Sequence, residues 1–204
     1  MCEESETACK PHIESDPKEQ PKLGEEDGEP CPYTGLTKRE IKILKGSWAL
    51  IKHRALLHDD KCSILSWFVG HVPNFRARME EKYPKTHPFH KNLVDDYMKT
   101  HSTNVFSTLE KFVQLLNFPV ELEMKMRYVA KEHILATPSV GTEFLKHVEA
   151  NFGIFIANCL SLGEESHKDE RVQLYVKLIS VYCRVVEMEE QEFLKKKGRC
   201  CHVL

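Results

Sequence analysis

The sequence predicts an all-α domain of about six to eight helices between Leu36 and Phe193. Three observations favour this class: apolar residues recur every three or four positions, no stretch alternates as a half-buried strand does, and several apolar stripes end near a proline. The chain of 204 residues has room for one such domain with a tail on each side.

Each helix is predicted from its own apolar stripe. The first begins at Thr37, a good N-cap residue, with Glu40 three positions later, which is the pattern of a capping box. The stripes in chain order are Ile41, Leu44, Trp48 and Ile51; Cys62 to Val72, ended by Pro73; Val94, Met98, His101, Val105, Leu109 and Phe112; Leu122, Met126, Val129 and His133, closed by Pro138; Phe144, Val148, Phe152, Phe155 and Cys159; and Leu174, Leu178, Val181, Val185 and Met188.

The tails differ from the domain in composition. Residues 1–34 carry ten acidic residues, three lysines and five prolines with few large apolar side chains, so we expect a disordered acidic tail over residues 1–35. Residues 194–204 form a basic C-terminal tail. A net charge of −2 gives no footprint for nucleic acid, and no apolar run is long enough to span a membrane. The N-terminus lacks the apolar core of a signal peptide, so a cytoplasmic protein is expected.

The eight cysteines form neither a CxxC motif nor a cluster with zinc-ligand spacing. Cys62, Cys159 and Cys183 fall on helical stripes, and in a reducing compartment we expect them to be small buried apolar side chains.

Two of the eleven histidines, His101 and His133, fall on apolar stripes. A polar ring in such a position needs a hydrogen-bond partner or a metal. Each histidine by itself is compatible with an ordinary hydrogen-bonded core residue. Together they make a pocket with one imidazole on each side conceivable.

Four segments resemble the globin family, in the family's order and with spacings that agree to within about three residues. They are LTKREIKILKGSWALIK, similar to the first helix with its tryptophan at Trp48; ILSWFVGHVP, similar to the second helix and its terminal proline; MKTHSTNV, similar to the distal motif; and VAKEHILATPSV, similar to the proximal segment. The resemblance covers residues 36–193.

This resemblance implies a globin fold around haem b, the iron cofactor, held between two helices. His133 would be the proximal iron ligand, and His101 would lie on the distal side as a donor to bound gas or as a sixth ligand. Further pocket residues implied by the family pattern are Val105, Leu109, Val129, and Leu65 or its neighbour Ile64.

The chain departs from the family pattern at two positions. Met79 stands six residues after Pro73, where globins usually place a phenylalanine against the haem; Phe75 could compensate if this corner is rebuilt. Asn104 stands where a lysine or arginine often meets a haem propionate. Glu132 precedes His133, but adjacent residues on a helix do not face each other.

The last four residues, CHVL, fit a prenylation pattern that would place a geranylgeranyl group on Cys201. A single lipid anchors a protein only marginally, so a second signal is expected, either palmitoylation of Cys200 or the four basic residues just before it. The alternative is a mobile basic tail with chance cysteines. Lipidation would attach the domain to the cytoplasmic face of a membrane.

The function predicted first is a haem globin that reversibly binds O₂ or a related diatomic gas, in sensing or in electron transfer with an unknown redox partner rather than in bulk oxygen transport. The alternative is a haem-free globin-fold interaction module, which Met79 and Asn104 favour. An enzymatic role such as nitric oxide dioxygenation or peroxidation is a third interpretation. It would require an external electron donor, since nothing in the sequence resembles a reductase domain.

Overall fold

The computed structural model describes residues 28–56, 63–83, 85–136, 139–161 and 169–200. These ranges are helical, with no strand among them, which confirms the all-α class. The helices are α1 (Lys38–Leu56), α2 (Ile64–His71), α3 (Phe75–Glu80), α4 (His90–Gln114), α5 (Pro119–Leu135), α6 (Thr142–Leu160) and α7 (Glu170–Cys200), with a 3₁₀ turn (Leu115–Asn117) between α4 and α5.

The start of α1 forms the predicted capping box. The Thr37 backbone N–H donates to the Glu40 carboxylate at 2.6 Å, and the Glu40 N–H donates to the Thr37 hydroxyl at 3.2 Å. Each contact satisfies a backbone donor that has no partner inside the helix. The cap fixes the point at which α1 begins.

Helix α7 is the main support of the fold and packs most extensively against α6 and α5. Its buried face carries Tyr175, whose hydroxyl donates to the Leu44 carbonyl at 2.8 Å and thereby links α7 to α1. Trp67 of α2 packs against Phe152 and Phe155 of α6, with ring centroids 5.9 Å away in both cases. Burial of each large apolar side chain contributes about 1.5–3 kcal/mol, so these helices are held mainly by their apolar faces.

The packed region begins before Leu36. Residues 31–36 form a turn in which Thr34 and Leu36 are buried, and the Tyr33 hydroxyl donates to Sδ of Met126 at 3.6 Å. Of the predicted disordered tail, residues 31–35 are therefore placed against the domain, residues 28–30 are exposed, and residues 1–27 lie outside the described ranges. This short segment packs against the helices because the ring of Tyr33 and the side chain of Leu36 remove apolar surface from water.

At the other end, α7 continues past Phe193 to Cys200, where the sequence predicted a basic tail. The residues that follow Phe193 include Leu194, three lysines and Arg199, and leucine, lysine and arginine are good helix formers. Cys159 and Cys183 are buried, as predicted, while Cys62 lies outside the described residues. None of the described helices has the length and apolarity needed to cross a bilayer.

Candidate functional site

A cavity of about 350 Å³ lies in the middle of the helices and opens between α4 and α5. This volume is within the range of roughly 300–1,000 Å³ common for small-molecule sites. The walls are mainly apolar. They are formed by Trp67 and Phe68 of α2, Met79 of α3, His101, Val105, Leu109 and Phe112 of α4, Val129 and His133 of α5, Phe144, Val148 and Phe152 of α6, and Ile179 and Tyr182 of α7.

His133 lies near the C-terminus of α5, and its Nδ1 atom is held by two oxygen atoms. The Val129 carbonyl, one turn earlier, is 3.0 Å from Nδ1, and the Tyr182 hydroxyl of α7 is 2.9 Å away. Nε2 has no hydrogen-bond partner among the described residues. A histidine whose Nδ1 contacts a backbone carbonyl is the usual arrangement of a metal-binding imidazole, because it fixes the ring and leaves Nε2 for the metal.

His101 lies on α4, on another wall of the same cavity, and is surrounded by rings. The rings of Phe68, Phe75 and Tyr97 lie with centroids 6.1–6.3 Å from its own, and no hydrogen bond to its nitrogens is found within the described ranges. Burial lowers the pKa of His101 to about 4, with further contributions from the positive charges of His133 and Lys82. His101 is therefore neutral at pH 7 and has free lone-pair and N–H capacity.

His133 is also neutral at pH 7. Burial lowers its pKa, and the hydrogen bond to Val129 and the charge of Glu132 only partly oppose this effect. Its neutral imidazole is the form that binds metals. His101 and His133 both line this cavity. The cavity thus has two neutral imidazoles on separate helices.

The rim of the cavity is polar. Asn104 and Thr108 of α4 and Lys125, Tyr128 and Glu132 of α5 line it, and Asn104, Tyr128 and Glu132 are exposed. The Lys125 ammonium lies 5.0 Å from the centroid of the Tyr128 ring, which holds the cation near the opening. The rim thus carries one cation, Lys125, and one anion, Glu132, around an apolar interior.

Hydrogen bonds hold the segment between α5 and α6 beside the cavity. The Val140 N–H donates to the His133 carbonyl at 3.0 Å, and Arg78 of α3 donates to the Ser139 carbonyl at 2.9 Å. At the start of α6, the Glu190 carboxylate accepts from the Thr142 backbone N–H at 2.9 Å. These contacts hold Val140 and Phe144 against the cavity.

Most sequence-predicted site residues meet at this cavity. Met79, His101, Val105, Val129 and His133 all line it. Met79 is 7% exposed and lines the cavity from α3. Phe75 stacks behind the cavity-lining Phe68, with ring centroids 4.8 Å apart.

Leu65 does not line the cavity. It lines a separate groove between α2 and α4, while its buried neighbour Ile64 is also absent from the cavity walls. Phe68 and Trp67 take this place instead. The reason is that α2 is apolar on nearly every side, so its sequence does not show which face turns inward.

Sequence reasoning also missed two polar residues. Tyr182 sits on the apolar stripe of α7, where a tyrosine looks like an ordinary core residue. In the sequence Lys125 looks like an ordinary surface lysine of α5, and only the fold shows that it lies at the cavity mouth. Neither position carries a local pattern that could have identified it. Of the predicted lipidation sites, Cys200 lies at the end of α7 without a described side chain, and Cys201 lies outside the described residues.

The cavity satisfies the main requirements of a haem. Its interior is apolar, His133 offers a fixed imidazole, and Lys125 offers a cation for a carboxylate at the rim. Within the described ranges, no three His, Cys, Asp or Glu side chains are grouped so that they could hold a metal ion.

Comparisons of this chain with protein-family models, with curated proteins and with solved structures gave no match. The function is therefore inferred from the chemistry of the site.

Proposed function

We propose that this chain is a haem-binding protein with a globin fold, in which His133 is the proximal ligand of the iron. The observation that carries the proposal is the His133 imidazole, held through Nδ1 at the wall of an apolar cavity that His101 enters from another helix. A haem bound there supplies an iron that binds diatomic gases and exchanges one electron.

The residues of the chain have separate tasks in this proposal. His133 presents Nε2, and the Val129 carbonyl holds its ring in place. His101 lies on another wall as a hydrogen-bond donor to a diatomic ligand or as a second imidazole ligand. Val105 and Met79 exclude water from the interior, which slows oxidation of the iron. Lys125 pairs with a haem carboxylate at the rim.

Sensing or electron transfer fits this site better than bulk oxygen storage. His101 has no hydrogen-bond partner among the described residues, so no hydrogen bond holds its ring away from the cavity. A neutral imidazole in that position can compete with a gas for the iron. Gas binding would then require displacement of the His101 side chain, and a binding step coupled to such a movement suits a sensor.

The decisive experiment is a haem titration of the purified protein and its His133→Ala variant, followed by the Soret absorption. We expect stoichiometric binding in the parent protein and loss of specific binding in the variant. His71→Ala is the matched control, because Nδ1 of His71 also contacts the carbonyl one turn earlier, Trp67 at 3.1 Å, but His71 does not line the cavity. Unchanged spectra in His133→Ala, or equal losses in both variants, would refute the ligand role.

Attachment to the cytoplasmic face of a membrane is a second part of the proposal. Lys195, Lys196 and Lys197 are exposed at the end of α7. Lys196 and Lys131 line a shallow groove with the apolar Leu135 and Phe193, beside Glu189 and Glu192. Each basic residue near an anionic lipid surface contributes about 1 kcal/mol of attraction. This pairing of lysines with apolar side chains supports a membrane-facing end.

Flotation of the unlipidated protein with neutral and with phosphatidylserine-containing vesicles tests this part. We expect binding to the anionic vesicles only, and its loss when the three α7 lysines are changed to glutamate. The same change at three lysines of α1, namely Lys38, Lys42 and Lys45, is the control. Equal losses in both triple variants would mean that only net charge matters.

A haem-free interaction module is the second candidate function, favoured by the outer face of α5. Val120, Met124, Tyr128 and Leu135 are 58–66% exposed on this helix and repeat at helical spacing. A partner protein could cover such a stripe. Absence of a Soret band after haem addition to the folded parent protein would establish this reading over the first.

A further inference from the structure

Two oxygen atoms lie within hydrogen-bond distance of Nδ1 of His133, but the ring has only one proton to place there. The Val129 carbonyl at 3.0 Å can only accept a hydrogen bond, whereas the Tyr182 hydroxyl at 2.9 Å can donate or accept. A neutral imidazole carries one proton, on Nδ1 or on Nε2. The two contacts therefore favour different tautomers of the same ring.

The surroundings of Tyr182 decide which tautomer satisfies more groups. Tyr182 is 8% exposed, its ring packs on Phe112, and its hydroxyl has no acceptor other than His133 within the described residues. A buried hydroxyl proton without an acceptor is costly. The Val129 carbonyl does not depend on the imidazole, because it also accepts the backbone N–H of His133 inside α5.

We infer that Tyr182 is a positioning residue whose hydroxyl donates to Nδ1 of His133 when nothing is bound at Nε2. In this state the His133 proton resides on Nε2, facing the cavity. Ligation through Nε2 requires the proton to move to Nδ1 and donate to the Val129 carbonyl, so the Tyr182 hydroxyl loses its acceptor. Tyr182 thus opposes metal binding at His133 and makes haem retention weaker than the cavity alone would allow. The consequence for haem rests on the proposed function, whereas the tautomer of the empty site does not.

Nitrogen-15 NMR of the full chain without haem tests the tautomer directly. The His133 ring signals, assigned by their loss in His133→Gln, should show the proton on Nε2. In Tyr182→Phe they should shift to the tautomer with the proton on Nδ1. Tyr175→Phe is the matched control: Tyr175 is also buried on α7, but its hydroxyl donates to the Leu44 carbonyl and does not reach the cavity. A parent protein with the proton already on Nδ1, or an unchanged tautomer in Tyr182→Phe, overturns the inference.

Haem competition provides a second readout. We expect Tyr182→Phe to hold haem about fivefold more tightly than the parent protein, the factor that corresponds to one hydrogen bond of ordinary net strength. A purely structural role for Tyr182 predicts the opposite, a looser haem, and that result also overturns the inference. If the parent protein binds no haem at all, the proposed function fails, while the NMR measurement still decides the role of Tyr182.

Discussion

His101→Gln keeps a polar side chain on the α4 wall of the cavity but removes the group that titrates there. The ordinary pKa of histidine is 6.5, and burial, with the charges of His133 and Lys82, lowers the pKa of His101 in the folded protein to about 4. Between these pH values the unfolded chain binds a proton at His101 and the folded protein does not. The free energy of unfolding therefore decreases as the pH falls from 6.5 to about 4, and His101 adds no pH dependence above 6.5.

The size of this effect follows from the interval between the two pKa values. At 1.36 kcal/mol for each tenfold change in proton concentration, the interval from 6.5 to about 4 corresponds to about 3 kcal/mol. A domain of this kind is stable by roughly 5–15 kcal/mol, so the loss is large enough to shift the urea midpoint clearly.

The assay is urea denaturation of the protein without added haem, followed by far-ultraviolet circular dichroism from about pH 7 to about pH 4. Carboxylates titrate in the same range, so the informative quantity is the difference between the parent protein and the variant. We expect the parent protein to lose about 3 kcal/mol more than His101→Gln over this range. His147→Gln, on the exposed surface of α6, is the control and should follow the parent protein. Parallel curves for the parent protein and His101→Gln would refute the reasoning.

Two further variants test the supports of the cavity. In Gly141→Ala, the new Cβ would overlap Oε1 of Glu190 and displace the carboxylate that caps α6. We expect urea denaturation to show a free energy of unfolding about 1 kcal/mol lower than that of the parent protein. Full parent stability would show that Glu190 does not cap this helix in solution. In Arg127→Met, the 4%-exposed Glu189 loses its partner at 2.6 Å and keeps only Lys131 at 3.6 Å. We expect a loss of about 2 kcal/mol, below the 3–5 kcal/mol of a fully buried pair because Arg127 is partly exposed. Glu123→Gln, which leaves the Arg127–Glu189 contact in place, should cost less, and a loss equal to that of Arg127→Met would contradict this account.

Local sequence patterns predicted the parts of the structure that depend on local physics. The capping box of Thr37 and Glu40 formed because both partners lie within one helical turn. His101, Val105, Val129 and His133 reached the cavity because the 3.6-residue period of a helix shows which side chains share an apolar face. Met79 was singled out differently, by the resemblance to the globin family, as the residue six positions after Pro73.

The failures occurred where local patterns carry no directional information. On α2, apolar residues surround the helix, so nothing in the sequence distinguished Leu65, which faces a separate groove, from Phe68, which lines the cavity. For the basic C-terminal tail the sequence analysis assigned no conformation, and the structure extends α7 past Phe193 to Cys200, since leucine and lysine are good helix formers.

The sequence by itself determined that this protein is helical and that His101 and His133 belong to apolar helix faces, because periodicity and capping act within a few residues. Only the tertiary structure decided what surrounds them. The packing of α7 on α5 brings the Tyr182 hydroxyl to 2.9 Å from Nδ1 of His133 across a sequence separation of 49 residues. The position of α5 beside α4 places Lys125 at the cavity mouth. Such contacts depend on which helices meet and at what rotation, and a helical period leaves both undetermined.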